Sequence, residues 1–145
     1  MKLSTRGRYG ARLMVDLGLH YGNGNIYFKD IAARQEISEK YLWQLIPPLK
    51  NAGLVHSERG AKGGYTLAKP PSQITMKDIV TAVEGDICIT ECVDDPSICH
   101  RAGSCVTKDL WTDLKESILK ALESYTLADM VEKQKAKTLT GTYAI

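Results

Sequence analysis

The apolar positions of the first fifty residues recur at helical spacing. The first stripe repeats every four residues: Tyr9, Leu13, Leu17 and Tyr21. A repeat of this kind places apolar side chains on one face of a helix. It predicts a first helix over residues 5–21, with Ser4 as its N-cap and the glycine-rich run 22–25 at its end.

Two shorter helices follow, and a tight turn joins them. The second fits residues 28–35, and Ser38 is a suitable N-cap for the third. Four apolar residues define the buried side expected for the third helix: Tyr41, Leu42, Leu45 and Leu49. Gly53 follows at the left-handed position that commonly ends a helix, whereas Pro47-Pro48 predicts a kink or an early end. Two short helices in this arrangement indicate a helix-turn-helix.

The next segment has the pattern of a β-hairpin. Residues 54–57 and 65–67 predict two short strands, and residues 58–64 between them contain three glycines and two cations. Directly after a helix-turn-helix, this composition favours a basic wing over an ordinary glycine-rich hairpin. The predicted fold class is therefore mainly α with a small β-hairpin wing, a winged helix-turn-helix.

Beyond Pro70-Pro71 the pattern predicts a helix, a long loop and two further helices. Thr75 and Asp78 form a capping box for a helix that ends near Glu84. A long helix over residues 107–125 has a wide apolar stripe: Leu110, Trp111, Leu114, Ile118, Ala121, Leu122 and Tyr125. Such a stripe favours contact with a partner chain over packing within one chain alone. A last short helix begins near residue 126.

Composition and charge narrow the class of protein. Hydrophobic residues make up 43% and charged residues 25% of the 145 residues, which is ordinary for a soluble globular chain. The sequence has no apolar run that could span a bilayer and no signal core, so we expect a cytoplasmic protein. Residues 1–69 carry 11 Lys or Arg against 5 Asp or Glu, whereas residues 70–145 carry 8 against 12. The basic first half suits nucleic acid, the alternative being an uneven surface without function.

Side chains on the outer face of the third helix are candidates for contact with DNA bases. Gln44 can pair bidentately with adenine, and the ring of Trp43 can cover a thymine methyl group. Lys40 and Lys50 can contact phosphates, and Arg59 on the wing can enter a minor groove. For each of them the alternative is an ordinary solvated residue.

All four cysteines fall in one window, at Cys88, Cys92, Cys99 and Cys105. Clustered cysteines in a reducing cytoplasm more often bind metal or sense redox state than form disulfides. Structural zinc sites usually contain a C-x-x-C pair, and this sequence has none. The wider spacing favours an iron–sulfur cluster over zinc, with inert thiols as the third alternative.

The sequence offers no catalytic constellation. Its three histidines, His20, His56 and His100, have no nucleophile at a readable spacing. We therefore expect a protein that is not an enzyme.

The chain resembles the Rrf-type family of bacterial winged-helix regulators in four segments that span almost its whole length. They are the opening 1–9, the helix-turn-helix with Tyr41-Leu42-Trp43-Gln44-Leu45, the wing 59–65, and Leu110-Trp111 with Tyr125-Thr126-Leu127. The resemblance implies a homodimer that has a long dimerisation helix and binds an operator, which we expect to be palindromic. It adds seven residues to the expected DNA-binding set: Arg6, Tyr9, Ser38, Tyr41, Lys62, Gly63 and Gly64.

On this resemblance the chain divides into five parts. They are a DNA-binding domain, a connecting helix, a cysteine-rich loop, a dimerisation helix with a C-terminal helix, and a tail. Their expected bounds are residues 1–69, 70–85, 86–106, 107–138 and 139–145.

The iron–sulfur branch of the family contains IscR-like and NsrR-like members, which hold a cluster on three loop cysteines. The matching positions here are Cys92, Cys99 and Cys105. The resemblance implies [2Fe-2S] rather than [4Fe-4S]. CymR-like members that lack these cysteines work without a cluster, so the cysteines place the chain nearer the first two groups.

Three positions depart from the family pattern. Lys108 stands where IscR-like proteins carry a histidine ligand, and Arg8 stands where NsrR-like proteins can use an acidic residue. The fourth ligand therefore stays open among Cys88, His100, an acidic residue and a group from the partner chain. Trp43 replaces a glutamate of IscR-like recognition helices, which leaves the operator sequence open.

The expected function is a transcription regulator whose operator affinity is controlled by the cluster. We expect a repressor of iron–sulfur assembly genes or of cysteine and sulfur genes. The alternatives are a nitric-oxide or redox sensor of the same architecture, and a CymR-like cluster-free regulator controlled by a partner protein. An electron-transfer protein is disfavoured by the helix-turn-helix.

Overall fold

The computed structural model describes residues 2–59 and 64–143, with side chains described through residue 139. Its elements run in the order α1 (Thr5–Leu19), α2 (Phe28–Gln35), α3 (Glu39–Asn51), β1 (Val55–Glu58), β2 (Gly64–Leu67), α4 (Met76–Glu84), α5 (Glu91–Asp94), α6 (Val106–Ser124) and α7 (Leu127–Tyr143). Short 3₁₀ turns at Pro71–Gln73 and Pro96–Ile98 lie in the connections. The predicted class, mainly helical with one small hairpin, is confirmed.

The first helix begins where predicted and ends two residues early. The hydroxyl of Ser4 accepts a hydrogen bond from the backbone N–H of Gly7 at 3.3 Å, as an N-cap should. The chain leaves α1 at Leu19 and turns through Gly22, whose φ is +89°. Tyr21 therefore lies beyond the helix and is 47% exposed, so it does not continue the buried stripe.

The helix-turn-helix forms at the predicted residues. Ser38 caps α3 by accepting a hydrogen bond from the backbone N–H of Tyr41 at 3.1 Å, and Tyr41 itself is only partly buried. The buried side of α3 consists of Leu42, Leu45, Ile46 and Leu49. The helix continues through Pro47 and Pro48 to Asn51, so the predicted early end is wrong. Buried leucines on both sides of the proline pair hold this segment against the core, which offsets the two lost backbone donors.

The two turns that flank α3 both require a left-handed residue. Gly53 has φ +75° after the helix, as predicted. Glu36, between α2 and α3, has φ +54° although it carries a side chain. The tight connection of the two helices imposes this conformation on a residue that does not favour it.

A buried carboxylate joins α1 to α2. Asp16 is 1% exposed, and its two oxygens accept hydrogen bonds from Arg34 Nε at 3.0 Å and Arg34 Nη2 at 2.8 Å. The side-chain amide of Gln35 donates a third hydrogen bond at 2.9 Å. This set fixes the angle between the first helix and the helix-turn-helix.

The hairpin pairs β1 and β2 antiparallel, from Val55 opposite Leu67 to Glu58 opposite Gly64. Tyr65 also exchanges two backbone hydrogen bonds of 2.9 Å with Ile26, so the segment before α2 lies beside β2. The expected wing tip, residues 60–63, lies outside the described residues.

The fourth helix has the predicted capping box. Thr75 Oγ1 accepts from the backbone N–H of Asp78 at 3.1 Å, and Asp78 Oδ2 accepts from the N–H of Thr75 at 3.0 Å. Gly85 follows α4 with φ +81°, as the predicted stop.

The last helix is longer than the short helix that the sequence predicted. It runs over Leu127–Tyr143, through part of the expected tail. The backbone N–H of Leu127 donates to the carbonyl of Ile74 at 2.7 Å, which attaches its start to the residue before the capping box. Leu127 and Val131 are buried, and a Cβ on Gly18 of α1 would lie 2.7 Å from Val131 Cγ2. α7 is therefore part of the core of the winged helix.

In the described parts of the chain, every helix is too short or too polar to cross a membrane.

Candidate nucleic-acid interface and cysteine loop

The outward face of α3 carries the predicted candidates for base and phosphate contact. Its exposed residues recur at helical spacing: Glu39, Lys40, Trp43, Gln44, Pro47, Lys50 and Asn51. The face is opposite the buried leucines, as a recognition helix requires. The ammonium group of Lys50 donates to Ser57 Oγ at 2.9 Å, which places this cation between α3 and the hairpin.

Trp43 lies at the junction of α3 and the hairpin. It is 55% exposed, and its ring centroid is 4.6 Å from that of Phe28 and 6.3 Å from that of Tyr65. Phe28 and Tyr65 are both buried. One side of the indole therefore rests on the core while the remainder faces outward.

Several other predicted contact residues have structural roles. Ser38 is occupied as the N-cap of α3. Tyr9 of α1 packs edge-to-face on Tyr41 of α3, with ring centroids 5.4 Å apart. The exposed side chain of Arg6 donates through Nε to the carbonyl of Val83 at 3.1 Å. A Cβ at Gly64 would lie 2.6 Å from the carbonyl oxygen of Ile26, so glycine is needed there for close strand packing.

Of the predicted wing residues, Arg59 is described and exposed. Lys62 and Gly63 lie outside the described residues.

The cysteine loop connects α4 to α6 and holds four free thiols. Cys88 is exposed, whereas Cys92, Cys99 and Cys105 are partly buried. The cysteine loop is not wholly irregular, because α5 and a 3₁₀ turn lie within it. Within the described ranges, three metal-ligating side chains do not come together around one ion.

The surroundings of the thiols differ. Cys105 precedes the first residue of α6, and its Sγ lies 3.1 Å from Thr107 Oγ1. Hydrogen bonds from Thr107 and from the backbone N–H of Lys108 lower the pKa of the Cys105 thiol. A hydrogen bond to the Asp94 carboxylate raises the pKa of Cys88. Asp94 in turn forms an ion pair with Lys115 of α6, which fastens α5 to that helix.

Comparison with known proteins decides the family. The family model of Rrf2, described as an iron-dependent transcriptional regulator, matches residues 3–133. The transcriptional regulator CymR of Bacillus subtilis is 42% identical over 130 residues, which cover 90% of this chain and 89% of CymR. The chain belongs to the Rrf2 family.

Solved structures agree with this assignment. CymR, the global cysteine regulator of B. subtilis, superposes with a TM-score of 0.77 at 40% identity over 92% of this chain and 98% of CymR. IscR of T. potens gives a TM-score of 0.76 at 43% identity over 92% of this chain and 88% of IscR. The predicted resemblance is confirmed, and this Rrf2 chain is a DNA-binding winged-helix transcriptional regulator. The expectation that it is not an enzyme is confirmed as well.

Two polar residues that organise the DNA-binding half of this Rrf2 chain were not predicted from the sequence. Asp16 stands three residues after Leu13, on the buried stripe of α1, and a lone carboxylate there signals a buried partner. Arg12 lies with its guanidinium 5.3 Å from the Tyr9 ring centroid, and its Nε donates to Gln35 Oε1 at 3.3 Å. Its position on the exposed side of α1 gave no such signal.

Proposed function

We propose that this Rrf2 regulator is a repressor and that a [2Fe-2S] cluster on its cysteine loop sets its affinity for the operator. The target genes are those for iron–sulfur assembly or for cysteine and sulfur metabolism, which agrees with the relatives IscR and CymR. One observation carries the proposal. All four cysteines lie on a single segment, between α4 and α6.

The donor chemistry of the loop fits an iron–sulfur cluster. Such clusters are held by cysteine thiolates and supply a group that responds to iron, oxidants or nitric oxide. Cys92, Cys99 and Cys105 are the proposed ligands, and these three residues are partly buried whereas Cys88 is exposed. Hydroxyl groups lie beside two of these sulfurs, including Thr90 Oγ1 at 3.3 Å from Cys92 Sγ. Loading requires the loop to draw its three thiols together.

The fourth ligand is proposed to come from outside the cysteine set. The thiol of Cys88 is hydrogen-bonded to the carboxylate of Asp94, and this carboxylate forms an ion pair with Lys115 of α6. The thiol is therefore directed toward α6. His100, an acidic residue or a group of the partner chain completes the site.

The proposed homodimer uses α6. None of the 19 residues of α6 is buried in the single chain, although its face is apolar. Val106 is 77% exposed and Leu110 is 55% exposed. Covering this face with the same helix of a second chain removes apolar surface from water and gives a two-fold protein for a palindromic operator.

DNA contact is proposed for the outward face of α3 and for the wing. Gln44 is the proposed reader of adenine, and Lys40, Lys50 and Arg59 are the proposed cations for the DNA backbone or minor groove, since all four are exposed. The other proposed contacts are Lys62 and the glycines of the wing. Tyr9 and Tyr41 support the interface through the α1–α3 packing, and Arg6 supports it by joining α1 to the carbonyl of Val83 in α4.

Contacts between α4 and α1 provide a route from the loop to α3. The backbone leaves α4 for the loop at Glu84, whose carboxylate accepts a hydrogen bond from the N–H of Ser4. α1 then reaches the recognition helix through Tyr9 and Tyr41. A change in the loop can shift operator affinity if the two states place α3 differently.

A second candidate is a CymR-like regulator that works without a cluster and is controlled by a partner protein. The 42% identity to CymR is consistent with it. Within the described residues the cysteines do not come together around one ion, which also agrees with this candidate.

The test is anaerobic purification of the whole chain, followed by a visible absorption spectrum and by iron and sulfide analysis. The proposal predicts about two iron and two sulfide per chain, as the [2Fe-2S] composition demands. It also predicts loss of the chromophore in each of Cys92→Ala, Cys99→Ala and Cys105→Ala. A colourless protein that still protects an operator in a footprinting assay would instead support the cluster-free candidate.

A further inference from the structure

An apolar strip lies on the outward face of α3. Trp43 and Pro47 are both exposed and stand four residues apart, so they share one side of the helix. Surface helices ordinarily present polar side chains on this side. The buried face of α3 lies opposite, with Leu42, Leu45, Ile46 and Leu49, so the exposed surface of the strip is additional to it.

The indole of Trp43 is held in place. Its ring is tilted by 32° to the Phe28 ring at a centroid separation of 4.6 Å, and it meets Tyr65 edge-on at 81°. Both supporting rings are buried. A side chain that is already ordered loses little conformational freedom when a ligand covers it.

The surroundings of the strip indicate DNA as its occupant. Lys40 and Lys50 flank it one turn to each side, against a single exposed carboxylate of α3, that of Glu39. Residues 1–69 carry 11 Lys or Arg against 5 Asp or Glu. In a helix-turn-helix this face enters the major groove. The apolar group that the major groove of ordinary DNA presents on base edges is the C5-methyl of thymine.

We propose that Trp43 and Pro47 form a reader of pyrimidine C5-methyl groups, so that this regulator selects thymine at a defined position of each operator half-site. The inference rests on the proposed operator binding and deepens it. 5-Methylcytosine carries the same methyl group at the same place, so it satisfies the same reader where cytosine does not.

The neighbouring Gln44 has a different task. Successive residues of a helix are about 100° apart, so the amide of Gln44 is directed to a different base pair from the indole. Recognition is thereby divided between a hydrogen-bonding position and a methyl-reading position. The two are separable by experiment because one responds to methyl removal and the other does not.

The experiment begins with an operator that the intact protein selects from random duplexes. Each thymine is then replaced singly by deoxyuridine, which removes the methyl group and leaves the pairing unchanged. We expect about fourfold weaker binding at one or two positions in each half-site, the value of one methyl group withdrawn from water. When such a thymine is exchanged for cytosine, 5-methylcytosine in place of that cytosine strengthens binding by a similar factor.

Variants assign the effect to the strip. Trp43→Ala abolishes the difference between thymine and deoxyuridine, Trp43→Phe retains part of it, and Gln44→Ala retains all of it. Tyr21→Ala removes another exposed aromatic ring, in the connection between α1 and α2, and changes nothing. Equal binding of every deoxyuridine operator by the unmodified protein overturns the inference without any variant, as does full discrimination by Trp43→Ala. A protein that selects no sequence at all refutes the proposed function instead.

Discussion

Glu84 Oε1 accepts a hydrogen bond from the backbone N–H of Ser4 at 2.8 Å and a second from the Ser4 hydroxyl. The carboxylate thus lies at the start of α1, where unpaired N–H groups and the helix dipole favour a negative charge. A Cβ at Gly7 would come within 2.6 Å of the same oxygen, so the glycine makes room for it. This contact joins the last residue of α4 to the first turn of α1.

Replacing Glu84 with Ala therefore removes a cap that comes from another helix. We expect the free energy of unfolding to fall by about 1 kcal/mol, a typical value for loss of a helix cap. Urea denaturation of the purified protein measures it. Glu132→Ala is the control, because Glu132 is exposed and pairs with the exposed Lys135 at 3.5 Å. Equal stability of the two variants would contradict the capping role.

The same substitution also tests the route from the loop to α3. If α4 transmits a conformational change of the cysteine loop to α1, Glu84→Ala reduces the difference in operator affinity between cluster-loaded and cluster-free protein. An undiminished difference would show that the signal takes another path.

The Asp16–Arg34 pair predicts a larger loss of stability. Arg34→Met leaves the buried carboxylate of Asp16 without its bidentate partner, and we expect a cost of about 2–3 kcal/mol. Lys135→Met, which breaks an exposed pair, should cost less than about 0.5 kcal/mol. In a double-mutant cycle, Asp16→Asn recovers part of the loss. If the two changes were simply additive, the pair would not act as described.

The left-handed turn offers a stabilising change. Glu36→Gly relieves the φ of +54° and should raise the free energy of unfolding by about 0.5–1 kcal/mol, since glycine adopts this region without strain. Glu39→Gly removes the same charge three residues later, inside α3, and should lower stability by a similar amount. Thermal unfolding of both variants decides between conformation and charge as the cause.

Thiol reactivity follows from the loop contacts. A lowered pKa gives Cys105 more thiolate near neutral pH, whereas the raised pKa of Cys88 gives it less. In cluster-free protein, iodoacetamide should label Cys105 before Cys88 at pH 7, and the gap should narrow as the pH rises through both values. Mass spectrometry of tryptic peptides measures the rates, with urea-unfolded protein as the control. Faster labelling of Cys88 in the folded chain would contradict the contacts.

Local rules were sufficient to predict the caps and stops from the sequence. Ser4, Ser38, Thr75 and Gly53 act through their own side chains or backbone, so the residue type alone indicates the helix end. The helical class, the hairpin and the exposed face of α3 follow from the same short-range periodicities.

Features set by tertiary contact could not be predicted. α3 continues through Pro47 because the core holds the residues on both sides, which a propensity argument does not include. Glu36 adopts a glycine-like conformation because the helices that it joins require it. The second role of Glu84, as a cap for a helix some eighty residues earlier, is equally invisible to local patterns.

The most direct test of cluster control compares operator affinity in three samples of the same chain. Anaerobic cluster-loaded protein, the same protein after chelation of its iron, and Cys99→Ala are titrated against one selected operator at a fixed salt concentration. The account predicts that the chelated and Cys99→Ala samples bind alike and differ from the loaded sample by at least about fivefold, the lower range of allosteric coupling. Identical affinity in all three, with iron and sulfide confirmed in the first, would contradict it.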